Sequence, residues 1–512
     1  MTQSLFYCHW KFFPGLPGND MKKSVFLSPQ KSRNMTTRIE KTGKPGNDTS
    51  VVILAKDPEA LSTTHLTLDE IEYIRKAWQN HKTRQFAFNR LSHWIFVRLI
   101  AQEKDETKSL EKTRKSGDQL QAAVNENKLD AVTVLQSGLD DRHVLAFAEG
   151  MALGNYQFIK YFRDKKEKEN TLKTIGILDE GTGEKAIEEL NILVDAVYKA
   201  RDMVNEPVMQ LNAVKLSDRF RDMAAEAGIK IEVFNKKKIQ SLKMGGLLAV
   251  NIGSEDPPTF TVMEWKPENP QNEKPLIFVG KGVTYDTGGL NIKTGKYMEN
   301  MKSDMSGAAT MASVIYAAAR AKLPLHIIAL IPATDNRLNG NAYVSGDVII
   351  MHNGLTVEII NTDAEGRMIL ADALSYAQKY KPELVIDAAT LTGSAQRAIG
   401  KYGVVAMHAK AHEAMEELKK SGEAVYERVA EFPFWEEYAE LMKSPIADLK
   451  NAGPPEAGMI TAGKFLEKFT DYPFIHLDIA GVAFTKSRDS YRNLGATGYG
   501  VRLLFDFLKK QS

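Results

Sequence analysis

The sequence predicts an α/β protein of two domains, with a mixed, mostly parallel sheet covered by helices on both faces in the larger C-terminal domain and a smaller α/β domain before it. Three observations predict this. The chain has 512 residues, room for two to four domains at about 150 residues each. Its composition, 43% hydrophobic and 26% charged, is that of a chain that buries a large core rather than one that stays disordered. Short, continuously apolar runs alternate along it with stretches of helical period, the pattern of strands crossing over through helices.

Residues 1–48 stand apart. They carry eight Lys or Arg against three acids. Leu5-Phe6-Tyr7-Cys8-His9-Trp10 is followed at once by Lys11, Pro14, Gly15, Pro17 and Gly18, which leaves neither an apolar h-region nor a cleavage site, so the stretch is not read as a signal peptide. With Met21 and Met35 inside it, it is expected to be a disordered basic extension or a misassigned start; a weak transit peptide is the alternative. Residues 49–184 read as the first α/β domain, with strands at 51–55, 94–100, 131–135 and 174–178 and helices at 67–79 and 140–156. The run 103–118 is dense in both charge signs and is expected to be a solvated helix face or loop. Residues 185–205 form one amphipathic helix, with Ile187, Leu190, Leu193, Val194, Val197 and Ala200 near helical spacing, ended by Asn205-Glu206-Pro207; it is expected to link the domains.

In residues 206–512, helices are expected at 216–227, 305–321 and 366–380 and strands at 229–234, 259–265, 276–279, 326–332 and 384–388. A hairpin is expected from 348–351 to 357–360 around His352-Asn353-Gly354, and a terminal loop and helix over 494–510. No internal repeat or long low-complexity tract interrupts this order.

Several function classes fall away. Lys plus Arg number 67 and Asp plus Glu 65, a net charge of +2, which gives no support to a nucleic-acid partner. The best apolar runs, 94–101 (broken by Arg98) and 326–333, fall well short of the roughly 20 residues of a membrane span. Cys8 is the single cysteine, so no intramolecular disulfide and no thiolate set for structural zinc or iron–sulfur chemistry exists, and a cytoplasmic location is expected. Residues 289–296 imitate a phosphate loop, but the glycine spacing is wrong and Tyr297 stands where Ser or Thr would hold magnesium. His408 and His412 are four apart but follow a strand, and they read as an incidental pair.

What remains is a set of polar residues placed just after buried strands. Lys281, Asp286 and Lys293 follow one strand, Asp304 precedes a helix, and Asn361-Thr362-Asp363-Ala364-Glu365-Gly366-Arg367 joins a strand to a helix. Ligands collect at the carboxyl ends of strands in open α/β sheets, so these segments are candidates for one crevice. Four carboxylates gathered there would repel one another unless cations were present, and oxygen donors with one nitrogen suit Zn, Mn, Mg or Co. Taken singly, each acid reads better as a helix cap or turn residue, and Lys281 and Lys293 read as surface ammonium groups; it is the cluster that favours a site.

The residues resemble the M17 leucyl aminopeptidase family of dinuclear metallopeptidases. The resemblance rests on Val279-Gly280-Lys281-Gly282-Val283-Thr284-Tyr285-Asp286-Thr287-Gly288-Gly289-Leu290 with Lys293, Met301, Lys302, Asp304, Met305 and Gly307, and on the heptapeptide Asn361 to Arg367. Leu370-Ala371-Asp372-Ala373-Leu374, Asp387-Ala388-Ala389-Thr390-Leu391-Thr392-Gly393 and His476-Leu477-Asp478-Ile479-Ala480-Gly481 extend it. It covers about residues 200–510, nearly all of them in an expected catalytic domain of 206–512; the first domain resembles the family's variable amino-terminal domain only loosely.

The resemblance implies a metal-dependent aminopeptidase that removes Leu and other apolar residues from short peptides and aminoacyl amides. It implies two divalent ions per subunit, Mn²⁺ or Zn²⁺ with Mg²⁺ or Co²⁺ as alternatives. Lys281, Asp286, Asp304 and Glu365 would hold the tighter ion and Asp286, Asp363 and Glu365 the looser one. Lys281 would have to ligate as the neutral amine. Lys293 would stabilise the oxyanion and Arg367 would hold a bicarbonate acting as general base. The substrate pocket would comprise Met301, Asn361, Thr390, Leu391, Gly393 and Ala480. A homohexamer with sites facing an internal cavity is implied as well. Some family members bind DNA, a second role that the balanced charge does not support.

Overall fold

The structure is a computed structural model and describes residues 37–43, 45–46, 48–101 and 103–512. Most of the stretch expected to be a disordered extension, residues 1–36, lies outside the described residues. Part of the rest is a strand rather than disordered: β1 (Arg38–Lys41) runs parallel to a later strand at Thr174–Ile177. Its sequence offers one apolar residue, Ile39, so no period announces it. Backbone pairing holds it instead, and the Asn191 side chain satisfies its outer edge by donating to the Ile39 carbonyl (2.7 Å) and accepting from its N–H (3.0 Å).

The first sheet adds β2 (Val51–Ala55), β3 (Gln85–Asn89), β4 (Trp94–Leu99), β5 (Ala131–Ser137) and β6 (Thr174–Leu178) in the order β1-β6-β5-β2-β4-β3. All neighbours are parallel except β3 and β4. β2 is buried along its whole length, as a continuous Val-Val-Ile-Leu-Ala run requires of a central parallel strand.

The charge-dense run after β4 has the solvated helix face expected of it, at Glu106, Lys108, Lys112 and Lys115, but a buried face as well. It is the helix Glu106–Glu126, and Glu111, Arg114 and Asp118 are buried in it. It crosses the helix Asp141–Gly154 so closely that a Cβ on Gly117 would lie 2.1 Å from the Phe147 carbonyl oxygen, and one on Gly150 1.9 Å from that of Arg114. Its buried charges meet partners far along the chain. Glu111 accepts from the Tyr491 hydroxyl (2.7 Å), Asp118 from Arg488 (2.6 Å), and Glu149 accepts from both Arg114 and Arg502, each at 2.6 Å. Mixed charge reads as solvated when the complementary residues lie far away, from 35 positions for Arg114 and Glu149 to 380 for Glu111 and Tyr491.

Glu149 carries a testable consequence. Burial alone would raise its pKa, but Arg502 and Arg114 outweigh burial and hold it down to about 2, from an ordinary 4.5. A depressed folded-state pKa contributes stability that is fully present above pH 4.5 and is lost as pH falls toward 2, on the order of 3 kcal/mol. Urea unfolding should therefore find Glu149→Gln less stable than the parent at pH 7, with the gap closing between pH 4.5 and 2. A gap independent of pH would contradict this.

The helix Glu184–Asn205 buries Ile187, Leu190, Val194, Val197 and Ala200, and these side chains join a core cluster that includes residues of both major sheets. Arg201 lies within it, its guanidinium donating to the carbonyls of Leu153 (2.8 Å), Tyr491 (2.9 Å) and Thr497 (2.9 Å). A buried charge is tolerated because its donors are answered.

Beyond that helix come β7 (Lys230–Phe234), β8 (Thr259–Trp265), β9 (Leu276–Gly280), β10 (Gly282–Asp286) and β11 (Ile327–Asn336). The expected hairpin is present as β12 (Val348–Ile350) and β13 (Thr356–Glu358). It is followed by β14 (Leu384–Ala389), β15 (Val404–Ala409), β16 (Val429–Glu431), β17 (Leu449–Lys450) and β18 (Phe474–Asp478). The second sheet has nine strands in the order β16-β15-β18-β14-β9-β11-β8-β7, with β10 also paired to β11. Its centre, β18-β14-β9-β11, is parallel, and the joins β15/β18, β11/β8 and β8/β7 are antiparallel.

Alternation assigns the two faces. Leu276, Phe278, Ile327, Ala329 and Ile386 pack in the cluster that contains the helix Ser306–Arg320, while Ile277, Val279, Ile328, Leu330 and Val385 pack in the one that contains the helix Glu365–Ala377. This is the mixed, mostly parallel, two-faced sheet the sequence predicts. The parallel strands β9, β14 and β18 end at Gly280, Ala389 and Asp478, and β10 and β11 run on side by side to Asp286 and Asn336, so that side chains from separate segments meet at this edge.

Candidate metal centre

Each functional segment reaches this edge for a local reason. Between β9 and β10 the chain carries Lys281, whose backbone N–H donates to Ala388 O of β14 (3.1 Å) while its carbonyl accepts from Ala308 N (2.9 Å). β10 ends on Asp286, and the loop after it brings Lys293 back. A short 3₁₀ turn, Met301–Met305, places Asp304 just before the long Ser306–Arg320 helix. A second, Thr362–Ala364, opens the Glu365–Ala377 helix, with the Asn361 side chain accepting from Asp363 N (2.8 Å).

The side chains converge. Lys281 Nζ lies 2.8 Å from Asp304 Oδ2, 2.9 Å from Glu365 Oε1 and 3.0 Å from the Thr390 carbonyl. Lys293 Nζ lies 2.7 Å from Asp286 Oδ2 and 2.5 Å from Asp363 Oδ1. Carboxylate oxygens of Asp286, Asp363 and Glu365 all fall within 4.8 Å of one another. Lys281, Asp286, Asp304, Glu365 and Arg367 are buried. All of them line one cavity of about 900 Å³, together with Lys293, Asp363 and all six pocket residues named from the sequence: Met301, Asn361, Thr390, Leu391, Gly393 and Ala480.

The electrostatics of the cluster are those of crowded acids. Burial, then Glu365, raises the Asp286 carboxyl; burial raises Asp304 well above the usual range even though Lys281 opposes it. Asp363 is pushed up to about 7 by burial and by Asp286 and Glu365. Glu365 alone of the four is lowered, because Lys281 and Lys293 outweigh its burial. For both lysines burial favours the neutral amine, but the carboxylates win and raise their pKa values, Asp304 first for Lys281 and Asp286 first for Lys293. Burial lowers Arg367 to about 10 against the pull of Glu365 and Asp478, so it remains cationic at neutral pH.

These residues fit a pair of divalent cations. The set is oxygen-rich with one amine and no thiolate, and three of its four carboxyls resist ionisation in the protein alone. Asp304 Oδ2 and Asp363 Oδ1 are buried with no hydrogen-bond partner beyond the nearby ammonium groups.

The geometry also brings in residues that motif reading passed over. Asn336, at the end of β11, donates to Asp286 Oδ1 (2.9 Å) and to the Thr362 carbonyl (3.1 Å), tying two of the acidic segments together. It obeys the same rule that flagged Asp286, a polar residue after a buried strand, and that rule could have found it. Asn451, carried in by β17, accepts from Ile360 N (2.8 Å) and Asn361 N (3.1 Å), donates to Asn361 O (2.7 Å), and offers its own carbonyl to Arg367 Nη1 (2.8 Å). One buried amide thus fixes both the acidic heptapeptide and its arginine. No local signal marks it. His408, by contrast, sits away from the cluster beside Glu431 (3.2 Å).

The family is decided by a direct match: a family model described as the catalytic domain of the cytosol aminopeptidase family aligns with residues 198–505. The chain belongs to the cytosol aminopeptidase family. As a member it is an aminopeptidase, a hydrolase that uses divalent metal ions. It is 52% identical over 316 residues to a probable cytosol aminopeptidase of Chlorobaculum parvum, covering 61% of this chain and 62% of that one. It is 41% identical over 436 residues to that of Chlorobaculum tepidum, covering 80% and 86%. Among solved structures it resembles a variant of tomato leucine aminopeptidase, with a TM-score of 0.80, 26% identity and coverage of 94% and 98%. It also resembles the bottromycin maturation enzyme BotP in complex with Mn, with a TM-score of 0.79, 26% identity and coverage of 90% and 99%. No helix among the described residues is long and apolar enough to cross a membrane.

Proposed function

We propose that this cytosol aminopeptidase family member removes the first residue, with Leu and other apolar residues preferred, from short peptides and aminoacyl amides at a two-metal centre. The observation that carries the proposal is the convergence of Lys281, Asp286, Asp304, Asp363 and Glu365, from four segments, on one buried cluster beside Lys293. In this reading Lys281, Asp286, Asp304 and Glu365 hold the tighter ion and Asp286, Asp363 and Glu365 the looser one, with Mn²⁺ or Zn²⁺ the first choices. BotP, solved with Mn, supports a divalent ion of this kind. When bound, such ions lower the pKa of a water toward neutrality and polarise the peptide carbonyl.

The chain's own side chains supply the rest. To ligate, Lys281 must surrender the proton that Asp304, Glu365 and Asp286 stabilise, so ion uptake there releases a proton. Lys293 keeps its proton and directs its ammonium at the oxyanion that develops on the substrate carbonyl. Arg367 is held through Nη1 by Asn451, while its buried Nε has no partner among the described residues. A bicarbonate at that nitrogen would serve as general base. Met301, Thr390, Leu391, Gly393 and Ala480 offer a largely apolar wall to the first side chain, and Asn361 borders the peptide beyond it. A cytoplasmic location, in line with the relatives' name, and a homohexamer working on short peptides complete the proposal.

The test is a substrate panel. Leu-amide should be hydrolysed, N-acetyl-Leu-amide should not, a strong chelator should abolish turnover and Mn²⁺ should restore it. Equal cleavage of the acetylated substrate would overturn the exopeptidase reading, and full activity under exhaustive chelation would overturn the metal reading.

A further inference from the structure

Six basic side chains line the cavity, and five of them meet an acid or a carbonyl. Lys281 is bound by Asp304 and Glu365, Lys293 by Asp286 and Asp363, and Arg367 by the Asn451 carbonyl. At the mouth Lys401 pairs with Asp489 (3.5 Å) and Lys486 with Glu299 (3.3 Å). The sixth, Arg397, lines the same cavity and has no acid, carbonyl or aromatic ring as partner among the described residues.

Its position is specific. Arg397 lies on the short helix Gly393–Ile399, four residues after Gly393, and residues four apart share one helix face, with long side chains running back toward the helix start. Its Nη1 accordingly lies 3.2 Å from where a Cβ on Gly393 would be. Gly393 is one of the residues read above as wall of the first-residue pocket, so the absence of a side chain there lets a fixed positive charge reach the pocket's rim. A guanidinium is permanently charged, and its planar fork matches a carboxylate with two parallel hydrogen bonds.

We propose that Arg397 is a specificity-determining residue that recognises a carboxylate on the substrate. The inference rests on the aminopeptidase reading above and deepens it: a pocket that takes apolar first residues also accepts acidic ones. The carboxylate has two sources, the side chain of a first-position Glu or the free carboxyl end of a dipeptide, and the proximity of Gly393 favours the first.

The test compares each charged substrate with its neutral isostere, using metal-loaded full-length enzyme. The ratio of kcat/KM for Glu-amide over Gln-amide reads the side-chain source; Leu-Gly over Leu-Gly-amide reads the carboxyl-terminal source. Arg397 is exposed, so Arg397→Gln should lower one of these ratios by up to roughly fivefold, the range of a solvent-exposed charge pair. Arg397→Glu should lower it further, and Arg397→Lys should restore part of it. If both ratios are the same in parent and Arg397→Gln, the proposal is wrong while the aminopeptidase reading stands. If the parent hydrolyses no aminoacyl amide at all, both fall.

Discussion

Replacing Glu365 by Gln is expected to lower kcat by well over the roughly 10- to 100-fold that follows loss of an outer-shell partner, with the fold retained. The change keeps size and shape and removes one charge. Glu365 begins its helix fully buried, with Oε1 2.9 Å from Lys281 and Oε2 turned toward Asn336 at 3.5 Å. Of the four acids it alone has a lowered pKa, so it is the carboxylate most committed to being ionised. With Asp286 it is read as touching both ions, and a neutral amide cannot replace it in either. Parent-like turnover with a normal circular dichroism spectrum would remove Glu365 from the mechanism.

Gly366→Ala, one residue on, is expected to cost nearly as much activity without touching any polar group. A Cβ on Gly366 would lie 2.4 Å from Lys281 Cε, 2.6 Å from its Nζ and 2.9 Å from its Cδ. An exposed lysine would swing away from such a contact at little cost. Lys281 is 3% exposed and pinned by Asp304, Glu365 and the Thr390 carbonyl, so displacing it dismantles its contacts with two of the acids. Loss of turnover by about 100-fold, again the scale of a displaced metal-site partner, should accompany only a small fall in Tm. An Ala variant with parent kcat would mean that the amine of Lys281 has no set position to lose.

These two neighbours show what sequence could and could not supply. Glu365 was legible because it sits in a motif, after a strand and at the head of a helix. The continuously apolar β9, the hairpin at β12 and β13 and the helix Ser306–Arg320 were legible for the same kind of reason, since period and turn chemistry are local. The site residues named from the sequence share one cavity because each lies at a strand or helix end that the sheet brings to one edge. The strand β1 was not legible, because one apolar residue and a partner at 174–177 make no pattern. Nor were the buried charges of the helix Glu106–Glu126, whose partners are Arg488, Tyr491 and, through Glu149, Arg502. Asn451 belongs with these, since its hydrogen bonds reach back some 90 residues to Ile360 and Asn361. In each case the determining contact is long-range and the residue type is common in loops and surfaces.

The most direct measurement is metal content per chain, by mass spectrometry of the purified protein after loading with Mn²⁺ and removal of excess ion. Two ions per chain are predicted for the parent and fewer for Glu365→Gln. One ion or none in a fully active parent would contradict the assignment of the buried acidic cluster as a two-metal centre.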